Sequence, residues 1–489
     1  MSATTQSSEA VGKSARNYTL AMLVLIYASS HVDRQIMSIL AESIKLELAL
    51  SDTQLGFLIG LSFAIFYATL GIPIAMLADR YSRRNIIGIS VIVWSGMTAV
   101  CGLAGNYLQL ALARIGVGIG EAGSSPPSHS MISDLYPPEK RATAMGIYAA
   151  GINIGVLLGF LVGGWIDEWY GWRMAFFVVG LPGIILGLMM FFTVKEPPRS
   201  QPPLPLKGNI FAEVWDTFKV MMSIRSLRHI VIGCTLVVFV GYGALYWNGV
   251  YFRRILGLSA GETGTYLALI GGVIGGIGTL FGGWLADRLA QKDKRYYVWL
   301  TAGVKLAILP IAYWYYLTTN VSTAILLTTI TSFFGGFYLS VSFALNQSLL
   351  PPARRALGSA LLLFCINIVG LGFGPQLVGI LSDAFSPSYG VDGLRYALIV
   401  VVSLNIWGCI HYFIAGRNLR EDLEKSRAKR LIAQSAGNKK GGSRAALPHL
   451  VCHKARISAA DRYRYRWHRR YSPLWRYRYI QPFHGYRSA

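Results

Sequence analysis

Charge is what this sequence is short of. Only 14% of its 489 residues are Asp, Glu, Lys or Arg, against roughly 25% in a soluble globular chain, and 53% are hydrophobic. That shortage argues against water as the solvent for most of the surface. Cysteine is scarce as well: Cys101, Cys234, Cys365, Cys409 and Cys452 stand singly, with no CxxC or Cys/His spacing, so neither a disulfide framework nor a metal site is supported. No nucleophile, metal cluster or cofactor fingerprint is present, which disfavours an enzyme. The Ser- and Thr-rich N-terminus lacks an apolar leader core and a small-residue cleavage site. The first apolar helix is therefore expected to act as the targeting signal.

Acidic residues are also few, 23 against 46 basic ones, for a net charge of +23. Such an excess suits a nucleic-acid binder only if it forms a patch. Here the cations sit in short connections between apolar runs and in the C-terminal tail. No nucleic-acid partner is expected.

What the chain has in plenty is apolar runs near the ~20 residues that span a hydrocarbon core of roughly 30 Å. They fall near residues 17–41, 53–78, 84–104, 107–131, 141–166 and 172–194, then 229–252, 262–286, 296–318, 321–348, 356–382 and 393–416. The predicted fold is an all-α membrane protein with twelve transmembrane helices in two six-helix bundles. Its predicted parts are an N-terminal tail (1–16), a first bundle (17–194), a Pro-rich linker (195–228), a second bundle (229–418) and a basic tail (419–489). Alternate connections are basic, with Arg80, Arg83 and Arg84, then Lys140 and Arg141, then Arg288, Lys292, Lys294 and Arg295, then Arg354 and Arg355. Because Lys and Arg collect on the cytoplasmic side, both termini are expected there, in a plasma or inner membrane. Arg253 and Arg254 are the exception.

The halves repeat at an offset of about 210 residues. Leu77-Ala78-Asp79-Arg80 matches Leu285-Ala286-Asp287-Arg288, Pro137 to Ala142 matches Pro351 to Ala356, and Ile152-Asn153-Ile154 matches Ile366-Asn367-Ile368. Chance similarity between apolar stretches does not account for matches that are mostly polar or proline. Parallel six-helix repeats are a transporter architecture, with the substrate between the halves.

The segment Ala75 to Arg84, with Asp79, Arg80, Arg83 and Arg84, resembles the loop signature of the major facilitator superfamily between helices 2 and 3. Two glycines usual there are Ala75 and Ser82 here. An acid at a helix end followed by cations can cap a neighbouring terminus and hold the halves together, so these residues and the repeat at Asp287 and Arg288 are read as a gating motif. Arg114-Ile115-Gly116-Val117-Gly118-Ile119-Gly120-Glu121-Ala122 resembles the superfamily's second motif. Together with Asp33-Arg34 it is similar to the spinster-like branch, which implies a lysolipid- or sphingolipid-type substrate. Gly151, Gly155, Gly159, Gly163 and Gly164 resemble an antiporter motif, but Val156 stands where its proline is usual. Close helix packing is the better reading.

Ionisable groups at membrane depth are expensive and mark pathways or proton relays. Counting residues puts Asp33 roughly 12 Å below the outer boundary with Arg114 at a similar depth, so the two are expected to pair. Glu121 lies two turns, roughly 10 Å, deeper on the same face as Arg114, where desolvation disfavours its charge unless Arg34 or Arg114 reaches it. Asp33, Arg34, Arg114 and Glu121 are the candidate proton-coupling set, the proton being the expected coupling ion and no cofactor being implied. Ser124-Ser125-Pro126-Pro127 should break helix 4.

In the second half Tyr242, Tyr246, Trp247, Asn248, Asn346 and Gln347, with His31 from the first, are candidate cavity residues, offering amphipathic surface opposite the charged set. Lys305 is expected to snorkel and is given no role. The tail beyond Arg462 interleaves Arg with Tyr and Trp without periodicity and is read as disordered, lipid being a better partner for it than nucleic acid. The leading function is a proton-coupled, monomeric carrier of an amphipathic or organic anion. A small-carboxylate carrier of another branch is the alternative, and a non-transporting receptor is the alternative of another class.

Overall fold

The computed structural model describes residues 12–199 and 210–440. The N-terminal residues, part of the linker and the Arg/aromatic tail beyond 440 lie outside the described residues.

The apolar runs fold as twelve rods. In the first half these are α1 (Lys13–Leu48), α2 (Asp52–Ile59 and Leu61–Arg80), α3 (Arg83–Cys101), α4 (Tyr107–Glu121 and Ser125–Leu135), α5 (Pro138–Tyr170) and α6 (Trp172–Thr193). The second half holds α7 (Arg225–Arg254), α8 (Ala260–Leu267, Ala268–Ile274 and Gly275–Ala290), α9 (Tyr296–Leu317), α10 (Val321–Gly335 and Leu339–Leu349), α11 (Arg355–Cys365, Ile366–Phe373 and Gly374–Tyr389) and α12 (Gly393–Ser403 and Asn405–Lys440). The chain divides into two units after Arg427, the last turns of α12 belonging to the second. The expected linker is not all loop: Ile210–Ser223 is helical, and α7 begins at Arg225, ahead of the expected 229.

Among the described residues nine helical stretches are long and apolar enough to cross a membrane on composition alone. Helix α1 is diluted by His31, Asp33, Arg34 and Gln35, α4 is interrupted after Glu121, and α11 runs into α12 as one stretch. The spans that fall short are those carrying the ionisable residues. Large apolar side chains such as Leu103, Leu108, Phe192 and Leu280 are exposed, which in this composition makes them lipid-facing.

The breaks recur in both halves. Helix α4 stops at Glu121 and restarts at Ser125, as its Ser-Ser-Pro-Pro run requires, and its repeat partner α10 breaks between Gly335 and Leu339. Lys305 does not snorkel: its Nζ donates to the Gly335 carbonyl at 2.9 Å and lies 5.2 Å from the Tyr338 ring centroid. A carbonyl freed by the break captures the ammonium inside the bundle. Helices α8 and α11 each contain a π-helical turn. The glycine stripe of α5 packs on α1, with a Cβ at Gly155 meeting Ala28 and His31 and one at Gly159 meeting Val32 and Gln35.

The face at which α1 starts and α2 ends is called the terminal face, the opposite one the distal face. Toward the distal face hydrogen bonds and ion pairs join the two halves: Ser38 to Tyr246, Asp52 and Thr53 to Asp383, Trp165 to Thr265, Arg253 to Asp167, and Arg254 to Glu42 and Asp52.

Candidate functional site

Two buried helices from the first half build the charged site. Helix α1 contributes Asp33 (0% exposed) and Arg34 (9%), and α4 contributes Arg114 (1%) and Glu121 (1%). Arg34 Nε donates to Glu121 Oε1 at 2.6 Å, and its Nη2 bonds the same oxygen. The guanidinium lies 4.6 Å from the Tyr67 ring centroid and 5.0 Å from that of Phe63. Arg114 approaches Phe63 as well, at 5.7 Å. Two cations on one aromatic ring are held by its negative faces, a strong contact once water is excluded.

The expected pairing of Asp33 with Arg114 is not made. Arg114 donates instead to main-chain carbonyls, Leu58 at 3.4 Å and Asp33 at 3.5 Å. The Asp33 carboxylate turns toward α3, where Trp94 Nε1 donates to Oδ2 at 3.0 Å. Neighbours in a helix point about 100° apart, so Asp33 and Arg34 cannot both face α4. That leaves Asp33 Oδ1 and Glu121 Oε2 buried without a hydrogen-bond partner. Trp94, Phe63 and Tyr67 escaped the sequence reading, since aromatics in apolar spans are ordinary until a charge is seen beside them.

The glycines around Glu121 set the approach. A Cβ at Gly118 would strike the Phe63 backbone of α2, and one at Gly120 the Trp94 backbone of α3. Their absence lets α4 press Glu121 and Arg114 into the bundle, one residue ahead of the α4 break.

Aromatic groups surround this core. Tyr27 and Tyr148 stack at 4.3 Å, His129 stands edge-on to Tyr148 at 5.3 Å, and His31 edge-on to Tyr27 at 4.7 Å. The His31 Nδ1 donates to the Tyr27 carbonyl at 3.0 Å. From the second half Tyr242 and Tyr246 of α7 stack at 5.8 Å.

The remaining cavity candidates are used elsewhere. Trp247 is fully buried and donates to the Pro375 carbonyl at 2.9 Å, fastening α7 to α11. Asn248 accepts from Tyr315 and Tyr316 of α9 at 3.1 and 3.3 Å. Both belong to the packing of the second half. Asn346 is buried with neither amide atom partnered, whereas Gln347 is exposed.

The proposed gating motif also divides. Asp79 and Arg80 are exposed, and Arg199 donates to the Asp79 main-chain carbonyl. Asp287 accepts from Tyr297 at 2.8 Å within its own half, and Arg288 lies 5.4 Å from the Trp284 ring. Arg83 has its partners within or beside the first half. It is 1% exposed and binds Glu196 at 2.8 Å, Ser130 and the Pro197 carbonyl each at 2.9 Å, and Asp134, all in or beside the first half. Arg84 reaches the Val194 carbonyl at 3.3 Å, and its amide donates to Glu196 at 2.8 Å. The glutamate of this clasp, Glu196, follows α6 and is distant in sequence, so no local motif announces it.

Residues 23–368 match the family described as Major Facilitator Superfamily. An MFS-type efflux pump of Mycolicibacterium smegmatis is 32% identical over 403 residues, 82% of this chain and 93% of that protein. A hexuronate transporter of Bacillus subtilis is 26% identical over 78% of this chain and 92% of its own length. Among solved structures, a bacterial homolog of the human lysosomal transporter spinster, in an inward-facing and unoccupied conformation, matches with a TM-score of 0.76 and 30% identity, covering 84% of this chain and 99% of the other. The fold and the relatives are those of transporters, which are not enzymes. Taken with two six-helix halves meeting around a charged core, they establish that the chain belongs to the major facilitator superfamily, as a spinster-like multi-pass membrane transporter.

Proposed function

We propose that this transporter is a proton-coupled carrier of an amphipathic or organic anion, acting as a monomer by alternating access. The observation that carries the reading is the Arg34–Glu121 pair, with Glu121 Oε2 and Asp33 Oδ1 left unpartnered beside it. A carboxylate at membrane depth with an unused oxygen can accept a proton. Once neutral, Glu121 no longer holds Arg34, whose guanidinium becomes available to the anionic head of a solute. The rings of Phe63, Tyr67, Tyr242 and Tyr246 offer an apolar body a surface. When the proton leaves, Glu121 reclaims Arg34 and competes with the solute for it. One cation shared between two anions thus couples proton and solute without direct contact between them.

Orientation follows from the cations. Among the described residues each distal one is paired: Lys45 with Asp52, Arg173 with Glu47, Arg253 with Asp167, Arg254 with Glu42 and Asp52, and Arg395 with Asp392. Arg253 and Arg254 therefore do not offset the excess of Lys and Arg on the terminal face, which supports both termini in the cytoplasm of a plasma or inner membrane.

The aromatic surroundings favour a lysolipid-like solute. A small carboxylate is the second reading, supported by the likeness to a hexuronate transporter. A thermal-shift screen of lysolipids, sphingoid bases and small carboxylates selects the solute, and flux into proteoliposomes under an imposed pH gradient tests coupling. If Asp33→Asn and Glu121→Gln both retain gradient-driven flux, the coupling proposal is wrong.

A further inference from the structure

Two carboxylates on the distal face sit on helix N-termini belonging to the opposite half. From α11, Asp383 accepts the Asp52 amide at 3.0 Å and the Thr53 amide at 2.7 Å, where α2 begins. From α5, Glu168 accepts the Gly261 amide at 2.5 Å and the Ser259 hydroxyl at 2.7 Å, where α8 begins. The contacts are repeats of one another. Helices α5 and α11 are equivalent in the two halves, as are α2 and α8, and both receiving helices open with a capping box, Ser51 with Gln54 and Ser259 with Glu262. A carboxylate is attracted to the unpaired amides and positive end of a helix.

Glycines let these elements meet. Gly164 of α5 lies against Ala260 and Gly264 of α8, and Gly379 of α11 against Asp52 of α2. Beside the caps, Arg254 of α7 bridges α1 and α2, its Nη2 bonding Glu42 at 2.7 Å and its Nη1 bonding Asp52 at 2.7 Å. Asp52 also takes Lys45 and the Ser382 hydroxyl, the latter at 2.5 Å. Helices α2 and α8 each carry a further acid at the opposite end, Asp79 and Asp287. Asp79 is exposed, and Asp287 is bonded within its own half.

We propose that Asp383, Glu168 and Arg254 are the positioning residues of a distal gate, two equivalent helix caps and one arginine bridge that together keep the site closed to the distal side. They act on the position of the two halves, not on the solute. The inference rests on the transport reading above, because only a protein that alternates needs such a gate to open. It also accounts for two arginines on the face where the charge pattern of the loops predicts few: they serve carboxylates of the other half.

The test reads gate position directly, so it needs no solute. Spin labels at exposed distal positions of the two halves, Leu46→Cys and Val391→Cys, are placed in a background with the native cysteines replaced, and distances are measured by pulsed electron resonance in lipid nanodiscs. The parent protein should give a short distance. Asp383→Asn, Glu168→Gln and Arg254→Gln should each raise the ratio of long to short distances by at least about tenfold, as expected for removing a charged contact that biases a two-state equilibrium. Arg254→Lys should restore most of the short population, which a purely steric role for arginine would not allow. If all three neutral variants elute as monodisperse protein with the parent's distance distribution, the gate is wrong whatever the flux. If the distances lengthen while no solute is ever moved, the gate stands and the transport reading fails.

Discussion

Arg34 gives two hydrogen bonds to a single oxygen of Glu121 and leaves the other oxygen, Oε2, buried with no partner. A fully satisfied bidentate pair would be a static strut. A half-used carboxylate in the same place keeps a lone pair free for a proton, and the difference is testable.

Glu121→Gln keeps the shape and a hydrogen-bond acceptor for Arg34 but cannot ionise. The expected outcome is loss of pH-gradient-driven flux by at least about tenfold, within the roughly 5–150-fold that coupling between two sites typically spans, with solute exchange at equal pH retained. Counterflow and gradient-driven uptake measured on the same proteoliposomes decide it.

Trp94→Phe removes the donor to Asp33 Oδ2 and little volume. A hydrogen bond to a charged group contributes about 1.5–3 kcal/mol, so Asp33 should take up a proton more readily, and the pH profile of flux should move to higher pH. A profile that superimposes on the parent's would show that Asp33 does not titrate during transport.

Arg83→Ala should act on stability and not on gating. It removes the buried guanidinium that pairs with both Glu196 and Asp134, and breaking a buried pair costs about 3–5 kcal/mol. A clear fall in melting temperature in detergent is expected, with Arg80→Ala nearly silent because Arg80 is exposed. Equal effects of the two would contradict the clasp.

Gly164→Val drives a side chain into the Ala260 carbonyl and Gly264 of α8. Overpacking costs about 1–3 kcal/mol, here in the distally closed state alone, so the variant should favour distal opening. Labelling of a distal-cavity cysteine by a membrane-impermeant thiol reagent should speed up, and an unchanged rate would argue against the contact.

On the terminal face Asp293, between α8 and α9, pairs with Arg295 and with Arg420 of α12, a clip that should be indifferent to the pH range of transport. Burial pushes the Asp293 carboxyl up, but the Arg295 amide and the guanidinium groups of Arg420 and Arg295 outweigh it and hold it at about 2, below its ordinary 3.8. A carboxyl depressed on folding stabilises above its unfolded value and loses that contribution as pH falls toward about 2. The loss caused by Arg420→Ala should therefore be constant from about pH 5 to 8. A melting temperature difference that varies across that window would place another titrating group at the clip.

How far the sequence could be read depended on whether the informative residues were neighbours along the chain. Apolar run lengths determine twelve spans because lipid demands a continuous helix of about 20 residues, and the polar matches between halves determine the two-bundle repeat. The ionisable set was legible for the same reason: Asp33, Arg34, Arg114 and Glu121 stand out against apolar surroundings, and the proline pair marks the α4 break.

Tertiary structure alone decided the partners. Asp33 faces Trp94 instead of Arg114 because adjacent helix positions diverge by about 100°, a rotation that spacing along two separate helices does not constrain. Trp247 and Asn248 proved to be packing because the direction of a side chain from α7 depends on where α9 and α11 lie. Arg83 needs Glu196, 113 residues away, and Asp52 and Asp383 meet across 331. Composition determines that such charges must be paired in a membrane protein, but which acid meets which cation, and on which face the halves close, is settled only when the helices pack.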